Sequence, residues 1–416
     1  MDKSSGLSRR CVITGYGSIS SLGSNSTAIW QSVMDKSLGY HYQDLSAYNI
    51  RSKFFGNIKE IPSLSGIMMQ RSLSREGALT LSAAAEAIKH AFSNEPLSSY
   101  YLPEKTGVII GSGWAGTDAS IQLGIEHQER NLANPFSNLK CMPSSAATAC
   151  AIQYNLTGFQ STVMAACAAS SMAIGQAFRE IQRGTVDMMI AGGVEAMQQP
   201  AAIWSIDVLQ ALSKEQNAPE KACCPFSTDR SGFVLSEGAA MVVLEEFESA
   251  KRRGAVILGE VLGYGYQCEA ESFTGLSADT TARSRSIQLA LAEAYVDAQE
   301  LDYINAHGTS TLANDVHETQ AIKAALGKNA YRIPISGTKS YTGHLIGAAG
   351  ALETIFCLKS IESGTLPATI NLTTPEPLCD LNYLPNEHGK ANVETCLNLN
   401  SGFGGHNSAL VLGQVR

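Results

Sequence analysis

The chain has 416 residues, 44% of them hydrophobic and 16% charged, with 37 glycines and a formal net charge of −8. A chain of this size and apolar content can bury a large core and has room for two or three domains. The charge is spread along it without acidic or basic blocks, which argues against nucleic acid as the main partner, because phosphate binding needs a concentrated basic surface. The one basic run, Lys251-Arg252-Arg253, reads as a solvated helix end. The polar first ten residues lead straight into the apolar run starting at Cys11, a pattern without a signal peptide. No apolar stretch approaches the roughly 20 residues that cross a bilayer. Apart from the adjacent Cys223 and Cys224, the ten cysteines are scattered, with no repeated C-x-x-C spacing. That pattern implies no metal cluster or disulfide framework, and a reducing cytoplasm as the setting.

In chain order, short apolar runs at 12–14, 107–111, 162–165, 188–191 and 240–244 read as strands, and 79–92 and 171–183 read as amphipathic helices. Such alternation predicts an α/β fold with covered sheets. The plan then repeats. Gly259-Glu260-Val261-Leu262-Gly263-Tyr264-Gly265 restarts it as Val12-Ile13-Thr14-Gly15-Tyr16-Gly17 began it. A strand at 162–166 leads through Cys167 into a helix closed by Gly184, and a strand at 334–338 leads through His344 into a helix at 347–361 closed by Gly364. A duplication of this kind predicts two halves, 1–255 and 256–416. It also places Cys167 and His344 at equivalent helix starts, facing each other across the join.

Cys167 sits in Ala165-Ala166-Cys167-Ala168-Ala169-Ser170-Ser171, where small residues permit a tight turn from strand to helix. The start of a helix favours a thiolate, because free amide groups and the positive end of the dipole point at it. A cysteine among alanines is otherwise a small buried hydrophobe, which is the reading for Cys11, Cys150, Cys357 and Cys396. His307 ends a strand in Tyr303-Ile304-Asn305-Ala306-His307-Gly308-Thr309-Ser310-Thr311, with Glu318 following in the next segment. Strand ends that open into polar turns hold a side chain firmly while admitting a ligand, although a lone histidine there is more often structural. His344 is flanked by Gly343 and Gly347 and preceded five residues earlier by Lys339. The turn Ser401-Gly402-Phe403-Gly404-Gly405-His406-Asn407 can offer backbone amides to an oxyanion, because little bulk blocks the approach.

Cys167, His307-Gly308-Thr309-Ser310-Thr311, Lys339 with Gly343-His344, and Gly402-Phe403-Gly404-Gly405 occur in an order and spacing that resembles the β-ketoacyl synthases of the thiolase superfamily. The similarity runs from about residue 10 to residue 412 and is nearest the synthase II type and the ketosynthase subunits of type II polyketide systems. It implies a duplicated thiolase-like α/β fold, layered α-β-α-β-α with two mixed sheets. By the same resemblance, Cys167 accepts an acyl chain from acyl-carrier protein, malonyl-carrier protein loses carbon dioxide, and the carbanion attacks the thioester. His307 and His344 stabilise the enolate, and the amides of Cys167 and Phe403 form a second oxyanion hole, with Phe403 as a gate. Lys339 and Glu318 form a supporting charge pair. Thr309, Thr311, Gly402 and Gly404 line the path of the substrate arm, and Trp114 and Ile206 face the acyl pocket.

The resemblance implies no cofactor on the chain itself, since phosphopantetheine travels on the carrier, and no metal. The implied partners are acyl-carrier protein and a second subunit, identical or of the related chain-length-factor kind. Two departures stand out: Ala165 stands where much of the family has threonine, a hydroxyl the chemistry above does not need, and Asn131-Leu132-Ala133 and Gln210 lack basic residues that some members use to dock the acidic carrier. A non-catalytic chain-length-factor-like subunit would lack the nucleophile. A cysteine hydrolase with a Cys-His pair would leave His344, Lys339 and the Gly402–Gly405 turn without roles.

Overall fold

The computed structural model describes residues 9–63, 72–130, 134–275 and 277–415. Residues 1–8, which the leader reading used, and Asn131-Leu132-Ala133 lie outside them. Ten strands build the main sheet: β1 (Cys11–Ser20), β2 (Thr106–Ser112), β3 (Gln160–Met164), β4 (Met188–Glu195), β5 (Gly238–Glu246), β6 (Gly259–Cys268), β7 (Tyr303–Asn305), β8 (Ile335–Ser336), β9 (Thr395–Gly402) and β10 (His406–Gly413). The longer helices that cover it include α1 (Arg75–Phe92), α2 (Ser145–Tyr154), α3 (Ala169–Gln182), α4 (Thr281–Ala294), α5 (Leu312–Leu326) and α6 (Ala349–Ser363).

The duplication is visible in the strand order. The first five strands run β3-β2-β4-β5-β1 and the second five run β8-β7-β9-β10-β6. Each set has two parallel pairings followed by two antiparallel ones. The two expected mixed sheets are not separate ladders, because β1 and β6 pair antiparallel from Cys11↔Val261 to Ile13↔Gly259 and join them edge to edge. The layering is as expected: α3 and α6 pack on each other between the two halves, α1 and α2 cover the outer face of the first, and α4 and α5 that of the second.

Burial on both faces explains why the strands read as continuous apolar runs. On β2, Val108 and Ile110 join the outer core with Leu79 and Ala87 of α1, whereas Ile109 joins the central core with Ile174 and Phe178 of α3. The repeated Gly-Tyr-Gly has a packing cause. A Cβ at Gly15 or Gly17 would meet the backbone oxygens of Ala87 and Ala83 at 2.4 and 2.2 Å, and one at Gly263 or Gly265 would meet those of Ala290 and Ser286 at 2.2 Å or less. In each half, the first strand is thus bare where the outer helix crosses it. Gly184 and Gly364 end α3 and α6 with φ of 75° and 64°, the left-handed closure that glycine favours.

The basic run needs a correction. Lys251 and Arg252 are exposed, but the Arg253 side chain is only 8% exposed; it pairs with the buried Glu245 at 2.5 Å and lies 4.2 Å over the Phe92 ring. A guanidinium can be buried there because a carboxylate and an aromatic face both answer its charge. Among the described residues, no helix is long and apolar enough to cross a membrane.

Candidate active site

After β3, Ala165 leaves the extended region (φ −144°, ψ 36°) and Ala166 turns left-handed (φ 45°), so that the tight 3-10 turn Ala166–Ala168 carries Cys167 into α3. A left-handed non-glycine residue costs roughly 1–2 kcal/mol, and this one re-aims the chain just before the sulfur. The second half repeats the device: Ile346 has φ 46° and opens the turn Ile346–Ala348 ahead of α6. The residue matching Cys167 is therefore Gly347, and the expected equivalence of Cys167 with His344 is off by three residues. His344 comes before the turn, where its backbone N–H donates to the Val234 carbonyl at 2.7 Å and its carbonyl accepts from the Ser236 N–H at 3.0 Å. That short ladder points the imidazole across the join.

The two histidines and the cysteine do converge. The Cys167 sulfur and one ring nitrogen of each of His307 and His344 all lie within 4.8 Å of one another, and all three residues are buried. The imidazole rings stand edge to face, with centroids 5.5 Å apart. The Phe233 ring packs edge-on against His344 at 5.0 Å; nothing but its place in a family segment marked it in the sequence. The three side chains line a cavity of about 250 Å³ together with Phe403, Thr309 and Thr311. The two threonine hydroxyls are 3.0 Å apart, and Thr311 also caps α5.

Hydrogen bonding fixes which nitrogens face the cavity. The Ile346 N–H donates to His344 Nδ1 at 3.1 Å, so the ring hydrogen sits on Nε2, which has no protein partner. Lys339 Nζ lies 3.4 Å from His307 Nδ1. An ammonium can only donate, so His307 too carries its hydrogen on Nε2. Burial first, and then the Lys339 charge, hold both imidazoles well below their usual pKa of 6.5, in the neutral form. The result is two neutral N–H donors beside a sulfur. The same three atoms are the one convergent group of potential metal ligands found among the described residues. With hydrogen on both Nε2 atoms, they are arranged to donate to an oxygen and not to ligate an ion.

The expected depression of the Cys167 pKa is opposed. Burial pushes the thiol up to about 12, against the pull of Lys339 and of its own backbone amide. At neutral pH the sulfur is therefore a thiol.

The expected charge pair between Lys339 and Glu318 is not formed. Lys339, 1% exposed, donates to the Glu353 carboxylate at 2.5 Å and to the His307 carbonyl at 2.6 Å, and Asn400 donates to the other Glu353 oxygen at 2.6 Å. Glu318 instead accepts from the backbone N–H groups of His307 and Gly308 at 2.5 and 2.8 Å. The roles divide because Glu318, on α5, reaches the backbone of the His307 turn, whereas Glu353, inside α6, reaches the lysine. The sequence signal for Glu353 was a lone carboxylate in the apolar run Ala349–Phe356, which needs a buried partner.

The glycine turn lies against the nucleophile. A Cβ on Gly402 would come within 2.6 Å of the Ala165 oxygen and 3.1 Å of the Cys167 nitrogen, while Gly404 is left-handed at φ 84°. Gly402→Ala is accordingly expected to push the turn away from Cys167 and slow acyl loading at least tenfold, with thermal melting as the control for folding. Gly402 and Phe403 border the cavity and Gly404 does not. Trp114 and Ile206 do not border it either. Ile206, 1% exposed, and the half-buried Trp114 belong to an apolar cluster that also contains Cys167. Trp204, two residues before Ile206 in the sequence, is 46% exposed. Gln210 reaches the rim of the cavity, and so does Lys214, a cation four residues further on that the sequence reading passed over.

Residues 8–250 match the family description Beta-ketoacyl synthase, N-terminal domain, and residues 258–373 match Beta-ketoacyl synthase, C-terminal domain. The chain is 36% identical over 412 residues to the 3-oxoacyl-[acyl-carrier-protein] synthase 2 of Synechocystis sp., covering 97% of each. It is 35% identical over 416 residues to the protein of the same name from Coxiella burnetii, covering 98% of this chain and 99% of the relative. Among solved structures, it is similar to AntDE:AntF, a type II PKS acyl-carrier protein in complex with its ketosynthase bound to the hexaketide, with TM-score 0.91, 33% identity and coverage of 98% and 100%. It is also similar to the ishigamide ketosynthase/chain length factor, with TM-score 0.88, 29% identity and coverage of 99% and 100%.

Proposed function

The chain belongs to the β-ketoacyl synthase family and is a condensing enzyme of the acyltransferase class, and from that premise we propose that Cys167 carries the acyl chain while His307 and His344 drive decarboxylation. The observation that carries this reading is the convergence of the Cys167 sulfur with two imidazole nitrogens inside one cavity, with His344 Nε2 unpartnered.

In the first step the sulfur of Cys167 attacks the thioester of an acyl-carrier protein. A new carbon–sulfur bond forms, the bond to the phosphopantetheine sulfur breaks, and that sulfur leaves with the proton the cysteine gives up. The amides of Cys167 and Phe403 face the oxygen of the adduct. Splitting the reaction this way keeps the growing chain in place while the second substrate enters. Malonyl-carrier protein then loses carbon dioxide, and the electron pair passes to an enolate whose oxygen meets the two Nε2–H donors. Such donors act where charge develops in the transition state. The carbanion attacks the Cys167 thioester and expels the thiolate. Lys339 and Glu353 hold His307, and Glu318 holds its backbone.

Phosphopantetheine is the carrier's own group, and in this reading the chain holds no cofactor or metal. Thr309 and Thr311 are the donors for its amides, and Lys214 at the rim attracts the acidic carrier in place of the basic residues missing at Gln210. The second partner is a related subunit, identical or of the chain-length-factor kind. Among the described residues, β3 pairs only with β2 and stands at the edge of the sheet with Met164 exposed, a surface suited to such pairing. The product belongs to a fatty acid or a type II polyketide pathway, and the enzyme works in the cytoplasm. We divide the chain at 255/256, within the gap between the two family matches.

Trp114 and Ile206 form the wall behind Cys167 and limit acyl length. Trp114→Gly is expected to extend the range of acyl chains loaded while leaving decarboxylation within about twofold, since the wall lies away from the histidines. Loading rates for carrier-bound chains of increasing length test this, and an unchanged profile in a folded variant would reduce Trp114 to packing. For the function as a whole, release of carbon dioxide from malonyl-carrier protein separates the reading from a chain-length-factor-like subunit and from a cysteine hydrolase, neither of which decarboxylates.

A further inference from the structure

One buried carboxylate outside this machinery touches both sides of it. Glu195 ends β4, is 0% exposed, and has no ion-pair partner among the described residues. Its oxygens are answered by three amides and a hydroxyl, and burial still pushes its pKa up to about 7. One oxygen accepts the Gly113 N–H at 2.7 Å and the Gly347 N–H at 3.1 Å. The other accepts the Trp114 N–H at 3.3 Å and lies 3.4 Å from the Ser112 hydroxyl. Four donors converging on a carboxylate without a cation make a built site, because an unanswered buried charge is prohibitively costly.

The segments gathered there are those that shape the reaction. Gly347 follows Ile346, whose N–H selects the His344 tautomer. Trp114 packs in the cluster that holds Cys167 and Ile206. The contacts are tight: a Cβ on Gly113 would meet Ile346 Cγ2 at 2.5 Å, and one on Gly347 would meet the Gly113 nitrogen at 2.6 Å. A shift of the Gly347 turn therefore moves both the Ile346 amide and the wall behind the sulfur. Glu76, a second buried carboxyl, accepts the Gly116 N–H at 3.1 Å at the far end of the same loop and touches neither turn through a bond of its own.

We propose that Glu195 is a positioning residue of the condensing reaction, which holds the Gly347 turn and hence His344, and at the same time anchors the Gly113-Trp114 wall of the acyl pocket. This rests on the reading of His344 and Cys167 given above. It adds a residue that touches no substrate and acts through three backbone amides and one hydroxyl.

Glu195→Gln has nearly the same shape but only one accepting oxygen, so it cannot hold all four donors. Measured on the full chain with malonyl-carrier protein, kcat for decarboxylation is expected to fall roughly tenfold or more, as misplacement of a reacting group does, with KM unchanged. Acyl loading, read by intact-mass spectrometry, should still reach one group per chain, which fixes the active fraction. Glu76→Gln is expected to leave kcat within about twofold. A folded Glu195→Gln protein with wild-type kcat, or one whose KM alone rises, overturns the proposal. If that variant does not melt cooperatively, Glu195→Asp, which keeps the charge but not the reach, is judged by the same two outcomes. A wild type that releases no carbon dioxide would sink the functional reading itself, whereas a wild type that does, matched by Glu195→Gln, sinks only this inference.

Discussion

Incubated with an acyl-carrier protein, Cys167→Ala is expected to show no added acyl mass, where the wild type gains one acyl group, and its condensation activity falls below detection. The basis is position as well as chemistry. Of the ten cysteines, all of them free, Cys167 is the one that lines the cavity. Burial pushes the thiols of Cys11, Cys150, Cys223 and Cys357 upward as it does that of Cys167, and none of the four borders the cavity. Cys141 and Cys268 are partly accessible but lie away from the cavity lining. Alanine at 167 fits a turn already built of alanines, so the fold should survive and the loss should be chemical. Intact-mass spectrometry on both proteins is the measurement. An acyl group appearing on another cysteine of the variant would overturn the assignment.

What the sequence made legible was whatever depends on local size and order. The turn that presents Cys167 is written in a run of small residues, the duplication in the repeated Gly-Tyr-Gly, and the helix ends in Gly184 and Gly364. Cys167 and both histidines were singled out by motif, and the structure brings the three together. What the sequence did not disclose were the contacts that set their chemistry, because these join distant segments. Nothing local says that Lys339 turns to Glu353 and away from Glu318, or that Glu195 receives an amide 152 positions away. The direction of the Cys167 pKa was misjudged for a related reason. A helix start is visible in the sequence, but the depth of burial that outweighs it is a tertiary property. Arg253 is the same lesson at the surface, since its partners, Glu245 and Phe92, come from two other elements.

His344→Ala is expected to load acyl groups at Cys167 while decarboxylating malonyl-carrier protein far more slowly. His344 meets the sulfur only as a neighbour, so thioester exchange at Cys167 does not need it. Its Nε2–H, by contrast, is one of two donors aimed where the enolate oxygen forms, and it is free of any competing protein acceptor. Removing one such donor costs about 10²–10³ in rate, roughly 2.7–4 kcal/mol of transition-state stabilisation. The partner donor, His307, stays in place because Lys339 and Glu318 hold it without help from His344. The pH dependence follows from the same burial. Both imidazoles are held neutral well below 6.5, so protonation of the pair should take no toll as the pH falls through that value, and any acid limb they contribute lies lower. Carbon dioxide release and acyl loading, measured in parallel on the variant and the wild type, separate the two functions. Failure to load with decarboxylation intact would reverse the roles given to Cys167's two neighbours, because the imidazole would then serve the sulfur and not the enolate.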